Sequence, residues 1–276
     1  MSLSYKLIYN SKEHSGPMRL AGFMSGSGTN IIKILEKQRE CEKREGRDPF
    51  QMIVIFTDTK DEQKCQAKAI ARREHIPYIC HDILDFYKKR GHKNKKDLSL
   101  RPLYDSQTVE ELKDFKIDLI ALGGYMSVIT RPLLKAYPNR IINVHPANLL
   151  IKEGERRKYT GAHAVAKAIR AGEKYLYSST HIVKEKVDYG NVLMVSQPMK
   201  VELPKDISLE YLIKEENLER FRQVVQLNQK RLKEAGDWLI FPKTLKMISQ
   251  GRFGIDDSGR VYVDGKLCPE GYQYRE

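Results

Sequence analysis

A chain of 276 residues is long enough to bury a sizeable core and suits one large domain, or one domain with an appendage. Its shares of 41% hydrophobic and 31% charged residues are ordinary for a globular chain. No apolar run nears the roughly 20 residues of a membrane-spanning helix, and the formal net charge of +13 favours anionic partners. Such partners include phosphorylated small molecules, polyglutamylated cofactors and nucleic acid, which charge alone does not separate. The basic residues are mixed with acids and no aromatic-rich RNA-binding pattern accompanies them, so they read as solvated faces rather than a nucleic-acid stripe. The start, Met1 to Lys6, lacks the apolar core of a signal peptide, so the expected compartment is the cytoplasm. Cys41, Cys65, Cys80 and Cys268 have no metal-ligand or CxxC spacing and read as reduced thiols.

Residues 1 to 17 form an N-terminal extension able to add an edge strand, and residues 18 to 276 form the domain proper. Met18 to Met24 predicts a first strand, and Ser25-Gly26-Ser27-Gly28-Thr29-Asn30 turns it into a helix carrying Ile31, Ile32, Ile34 and Leu35. Unpaired amides at such a glycine-rich helix start can hold a phosphate. It is neither a full dinucleotide fingerprint nor a P-loop, and a tight strand-to-helix turn fits the same residues. Gln51 to Phe56 predicts a second strand, Gln63 to Glu74 a helix, and Ile76 to Ile79 a third strand. This alternation is the grammar of an α/β fold with a mostly parallel sheet flanked by helices. Charged residues from 82 to 100 read as a surface excursion, with an insertion near 86 to 100. Tyr104 to Phe115 predicts a helix, Ile117 to Leu122 a buried strand, and Gly123-Gly124 a close approach or a bare turn. Thr130 to Tyr137 predicts another helix.

Ile141-Ile142-Asn143-Val144-His145-Pro146 predicts a short buried strand that Pro146 terminates. Asn143 and His145 are two apart, point to one side, and lie near the carboxyl end of the strand, where open α/β sheets bind ligands. A loop His beside a turn-closing Asn is the plainer alternative. Residues 151 to 160 read as a charged, mobile insertion beside this site, and Gly161 to Ala171 as a helix. Tyr175 to Val183 and Asn191 to Pro198 predict two strands joined by a loop with Asp188, a residue equally suited to turn formation. A third insertion spans 205 to 235 as a charged amphipathic pattern ending at Gly236. A final helix from Asp237 to Gln250 precedes a small C-terminal β appendage.

Taken together, Ser25 to Asn30, Leu122-Gly123-Gly124-Tyr125-Met126, Asn143-Val144-His145-Pro146, Gly161-Ala162-His163, Ser179 to Val183 and Val187-Asp188-Tyr189-Gly190 resemble the folate-dependent formyltransferases. The closing pieces, Gly251-Arg252-Phe253, Val263 to Lys266 and Pro269 to Tyr272, resemble the branch that formylates glycinamide ribonucleotide in purine synthesis. The resemblance implies a Rossmann-like formyltransferase fold, 10-formyltetrahydrofolate as co-substrate, and no metal. It implies catalytic roles for Asn143, His145 and Asp188, with Asn143 donating to the oxyanion, His145 acting as acid or imidazolium, and Asp188 raising the His145 pKa. By the same likeness Gly28, Thr29 and Asn30 grip the substrate phosphate. Arg101 contacts folate, and Met126, Ser127, Val128 and Ile129 with Lys184, Glu185, Lys186, Val187 and Asp188 line the pterin pocket, largely through backbone. Asp237 falls where the family places a carboxylate for the substrate amine, one methylene shorter.

Three departures bear on the acceptor: Ala147-Asn148 after Pro146 in place of the family's Ser-Leu, the inserted charged loop, and the long 205 to 235 segment. They keep other amines open, such as an amino sugar nucleotide or an aminoacyl-tRNA, as well as a folate- or nucleotide-binding protein without turnover. The sequence leaves the oligomeric state open, a homodimer included.

Overall fold

The computed structural model describes residues 5 to 46 and 48 to 275; the first four residues of the extension, Arg47 and Glu276 lie outside the described residues. In chain order the first elements are β1 (Lys6–Leu7), β2 (Met18–Met24), α1 (Thr29–Glu45), β3 (Phe50–Thr57), α2 (Ala67–Arg73) and β4 (Tyr78–Cys80). There follow α3 (Ile83–Lys88), α4 (Arg101–Leu112), β5 (Leu119–Leu122), α5 (Arg131–Ala136) and β6 (Ile141–His145). Then come β7 (Lys152–Glu153), β8 (Arg156–Arg157), α6 (Ala164–Arg170), β9 (Tyr175–Leu176), β10 (Ser179–Ile182), β11 (Val192–Val195) and β12 (Met199–Lys200). The chain continues through α7 (Leu209–Leu212), α8 (Leu218–Leu232), α9 (Trp238–Ser249), β13 (Phe253–Ile255), β14 (Val261–Val263), β15 (Lys266–Leu267) and β16 (Tyr272–Gln273).

Eight strands form the central sheet in the order β16-β11-β10-β6-β5-β2-β3-β4. The run from β6 through β4 is parallel, β10 is antiparallel to both neighbours, and β16 joins β11 in parallel. Both faces are covered, which is why the parallel strands are mostly apolar on both sides, with polar residues at or near their ends, such as Arg19, Gln51, Thr57, Asn143 and His145. On β2, Leu20 and Met24 face a core shared with Ile31, Ile34 and Leu35 of α1 and with Ile240, Leu245 and Ile248 of α9. Ala21 and Phe23 face the other core, with Leu112, Ile129 and Leu133. The extension supplies its expected edge strand by pairing β1 with β13, and Ile8 and Tyr9 enter the first core.

Four expectations need correction. The charged stretch after residue 82 is not wholly a surface excursion. Asp82 caps α3 by accepting the Asp85 amide, and α3 buries Ile83, Phe86 and Tyr87 against Tyr104. The helix expected from Gln63 begins only at Ala67, because 61 to 65 make a turn closed by Lys64 and Cys65 amides on the Asp61 carbonyl. The loop of 151 to 160 is a hairpin, β7 against β8, with Gly154 at φ +60 in its turn. Gly236 does not end the preceding helix. Lys233–Asp237 is a π-helical turn that carries α8 into α9, and a Cβ on Gly236 would stand 2.5 Å from Ser178 Oγ. Among the described residues no helix is long and apolar enough to cross a membrane.

Candidate active site

β6 sits between β5 and β10, so its last residues reach the carboxyl end of the parallel strands. The antiparallel register sets Asn143 opposite His181, and Asn143 Nδ2 lies 3.3 Å from His181 Nε2. His181 Nδ1 is 2.9 Å from the Ile182 carbonyl oxygen, which can only accept. In the neutral ring that nitrogen therefore carries the proton, and Nε2 accepts from the Asn143 amide. His145 Nε2 likewise donates to the Tyr159 carbonyl at 2.8 Å, and its Nδ1 lies 3.4 Å from Asp188 Oδ2. The second Asp188 oxygen is 3.4 Å from His181 Nε2, so one carboxylate stands between two imidazoles. The Gly161 amide donates to Asp188 Oδ2 at 2.6 Å. The three residues expected to carry chemistry are thus brought together, with His145 at 5% and Asp188 at 7% exposure.

Electrostatics around this cluster are divided. Burial alone pushes the Asp188 carboxyl up, but His181, the charge of His145 and the Gly161 amide outweigh it and hold the group down at about 2. Burial lowers the His145 pKa, and the opposing pull of Asp188 and of the Tyr159 carbonyl does not restore it. Asp188 acts in the expected direction, raising the His145 pKa, but desolvation is larger and leaves the imidazole below its ordinary value.

Gly28 precedes α1 at φ 69, ψ 16, where an added Cβ would stand 2.5 Å from Met24 Cε, so the loop requires glycine there. Thr29 opens α1, and Asn30 is buried with its Oδ1 lacking a hydrogen-bond partner among the described residues. The Asn30 side chain lies near the Asp237 carboxyl and acts to lower its pKa, and that carboxyl accepts from Ser178 Oγ at 2.5 Å. Asp237 is buried at 4% exposure, and burial pushes its carboxyl up to about 6. The glycine-rich loop and Asp237 therefore adjoin.

The residues expected around folate divide. Arg101 is fully buried: its Nη2 donates to the Val128 carbonyl at 2.6 Å and lies 3.3 Å from Asp105 Oδ1, and its guanidinium stacks 4.6 Å from the Tyr104 ring centre. It anchors the 126 to 129 stretch from beneath. Asp105 holds the next residue by accepting the Thr130 amide and hydroxyl at 2.6 Å each. Met126 is 71% exposed and its amide donates to Ser25 Oγ at 3.0 Å; Ser127 turns inward to Asp58, and Ile129 is buried. Ser25 also donates to Asp58 at 2.6 Å, tying the glycine-rich loop to the 126 to 129 stretch. Lys184 reaches Asn139 Oδ1 at 2.5 Å, beyond the amino end of β6, so its side chain leaves the site. Glu185 pairs with Arg131 at 3.5 Å, Lys186 lies 3.5 Å over the Tyr189 ring, and Val187 is exposed.

Sequence reasoning missed His181, Tyr159, Gly161 and Arg157 as site residues. A polar imidazole inside the buried run Ser179 to Ile182 was the one local signal, and the other three contribute through backbone or through loop position. Among the described residues no group of three or more His, Cys, Asp or Glu is placed to hold a metal ion.

Phosphoribosylglycinamide formyltransferase of Bacillus subtilis is 32% identical over 133 residues, which cover 48% of this chain and 57% of that protein, so the match spans little more than half of that relative. The protein of the same name from Haemophilus influenzae is 24% identical over 91% of this chain and 96% of its own length. The crystal structure of glycinamide ribonucleotide transformylase 1 from Symbiobacterium toebii superimposes with a TM-score of 0.63 at 26% identity, covering 91% of this chain and 95% of that one. With a Rossmann-like sheet shared with that structure, the match of residues 18–237 to the formyl transferase family places this chain in that family.

Proposed function

We propose that the chain transfers the formyl group of 10-formyltetrahydrofolate to the amine of glycinamide ribonucleotide, with residues 18 to 276 acting as one catalytic unit on small-molecule substrates in the cytoplasm. The observation that carries this reading is the Asp188 carboxylate 3.4 Å from both His145 and His181, with Asn143 beside them at the sheet's carboxyl end. The names of the relatives support the choice of acceptor.

Forming the bond from amine nitrogen to formyl carbon, and breaking the bond from that carbon to the folate nitrogen, moves one proton from the first nitrogen to the second. Asn143 has a second amide hydrogen beyond the one facing His181, and donates it to the formyl oxygen as negative charge develops there, a contribution of roughly 3 kcal/mol at comparable sites. His145 can donate from both nitrogens, to the Tyr159 carbonyl and to Asp188, only when protonated, and that imidazolium stands on the Asn143 side of β6 to offset the same charge. Asp188 stays ionised and accepts from His145 Nδ1 when that ring is protonated. Gly28, Thr29 and Asn30 seat the phosphate at the start of α1, where the helix dipole favours an anion. Met126 to Ile129 and the backbone of 184 to 188 face the pterin.

Purified protein with both substrates tests the reading by release of tetrahydrofolate, with His145→Ala as control. Transfer that vanishes in the control is the expected result, and folate binding without transfer to glycinamide ribonucleotide overturns the acceptor. Burial of Asp237 against Ser178 favours a second reading, a different amine, because that carboxyl is already engaged. A panel containing an amino sugar nucleotide and an aminoacyl-tRNA separates the two.

A further inference from the structure

We propose that the hairpin of β7 and β8 is a clamp that sets the catalytic carboxylate, and that Arg157 is its positioning residue; the kinetic part of this rests on the formyl-transfer reading above. Residues 152 to 156 are exposed, and Arg157 is the point at which the hairpin turns into the protein. Its Nη1 donates to the backbone carbonyl of Asp188 at 2.5 Å. The Arg157 amide donates to Tyr189 Oη at 3.2 Å, and the guanidinium lies 5.6 Å from the centre of the Tyr189 ring. Two consecutive residues of the opposite loop are therefore gripped by one side chain and its own backbone.

The grip matters because of the conformation it holds. Asp188 has φ +59, a left-handed backbone that Asp tolerates better than most residues but still at a cost, so contacts around it are needed to keep it there. Release of its carbonyl lets φ relax, and the carboxylate swings away from both imidazoles. The Gly161 amide on Oδ2 holds the side chain but not the peptide plane. Between those two contacts, the Tyr159 carbonyl accepts a hydrogen bond from His145 Nε2. Residues 157 to 161 thus fix both members of the His145 and Asp188 pair from one stretch of chain. The hairpin ladder, Lys152 opposite Arg157 and Glu153 opposite Arg156, fixes the backbone from which Arg157 reaches in. A planar guanidinium can donate to a carbonyl while lying over a ring, which an ammonium does less well.

The experiment compares Arg157→Ala, Arg157→Lys and the exposed neighbour Arg156→Ala with wild type. The first readout is the His145 imidazole titration by NMR in unliganded protein, with Asp188→Asn as the reference for a lost carboxylate. The second is kcat and KM with 10-formyltetrahydrofolate and glycinamide ribonucleotide. In Arg157→Ala the His145 titration moves down, in the direction of Asp188→Asn, and kcat falls by about 10- to 100-fold while both KM values change little. Arg157→Lys lies between, keeps a donor in place, and decides the matter should the alanine variant not fold. Arg156→Ala matches wild type. A His145 titration unchanged in both Arg157 variants overturns the clamp. If wild-type protein transfers no formyl group, the functional reading fails, and the titration still decides the clamp.

Discussion

His145 Nδ1 lies 3.4 Å from Asp188 Oδ2 while the opposite nitrogen of the same ring donates to the Tyr159 carbonyl at 2.8 Å. Each nitrogen faces an acceptor, so the protonated ring is the form that satisfies both, and burial works against that form. The balance turns on the charge of Asp188. In Asp188→Asn the His145 pKa falls further, and the limb of the pH–rate profile that needs protonated His145 moves to lower pH. Turnover drops by about 10²- to 10⁴-fold, with folate binding within a few-fold of wild type. A kcat profile from pH 5 to 9 with a parallel binding titration measures this, and an unmoved limb at full activity contradicts the assigned role.

Asp237 carries a prediction about stability. Its folded pKa, about 6, lies above the ordinary carboxyl value near 4, so the stability linked to its neutral form is complete below pH 4 and is lost as pH rises through 6. Asp237→Asn keeps an acceptor for Ser178 and removes the buried charge. Urea unfolding should give equal stability for both proteins near pH 3.5 and a gain of about 2 to 3 kcal/mol for the variant at pH 8. The KM for the amine substrate should rise in the same variant.

Arg101 and Asp105 are a buried pair at 3.3 Å, with Asp105 also holding Thr130. Arg101→Met leaves Asp105 without its cation and frees the Val128 carbonyl. The expected loss is about 3 to 5 kcal/mol, read from the shift in urea midpoint. A loss below 1 kcal/mol would argue that the guanidinium serves a ligand rather than the 126 to 129 stretch.

Gly190 closes the loop that carries Asp188, and a Cβ there would stand 1.6 Å from the Ile182 carbonyl oxygen. Gly190→Ala must displace the loop, so turnover should fall as far as in Asp188→Asn while the far-UV CD spectrum is kept. Gly154, in the hairpin turn, has open space around the same position and a φ of +60, so Gly154→Ala should cost only about 1 kcal/mol and leave kcat near wild type.

Much of the sheet was legible because its signals are local. The run Ile141 to His145 is apolar and stops at a proline, and Met18 to Met24 passes into a glycine loop whose Gly28 sits in the left-handed region. What escaped is set by contacts distant in sequence. His181 faces Asn143 through the β6–β10 register. Asp188 looks like a turn residue, and its positive φ is part of the site. The apolar spacing of Ile83, Phe86 and Tyr87 was masked by the lysines that follow. Gly236 reads as a helix stop, yet it is the residue that lets the π turn pass Ser178. Arg101 was placed by likeness, and its burial beneath Val128 depends on packing that no local pattern reveals.

β16 and β4 finish the two rims of the central sheet, and they are two and three residues long. Strands this short offer a passing chain few free amides and carbonyls on which to lay another strand. The longer ladders of β2, β3 and β6 are all enclosed between neighbours. A chain built around so apolar a sheet is thereby guarded against edge-to-edge polymerisation, and copies that meet at high concentration find side-chain surfaces rather than an open ladder to extend.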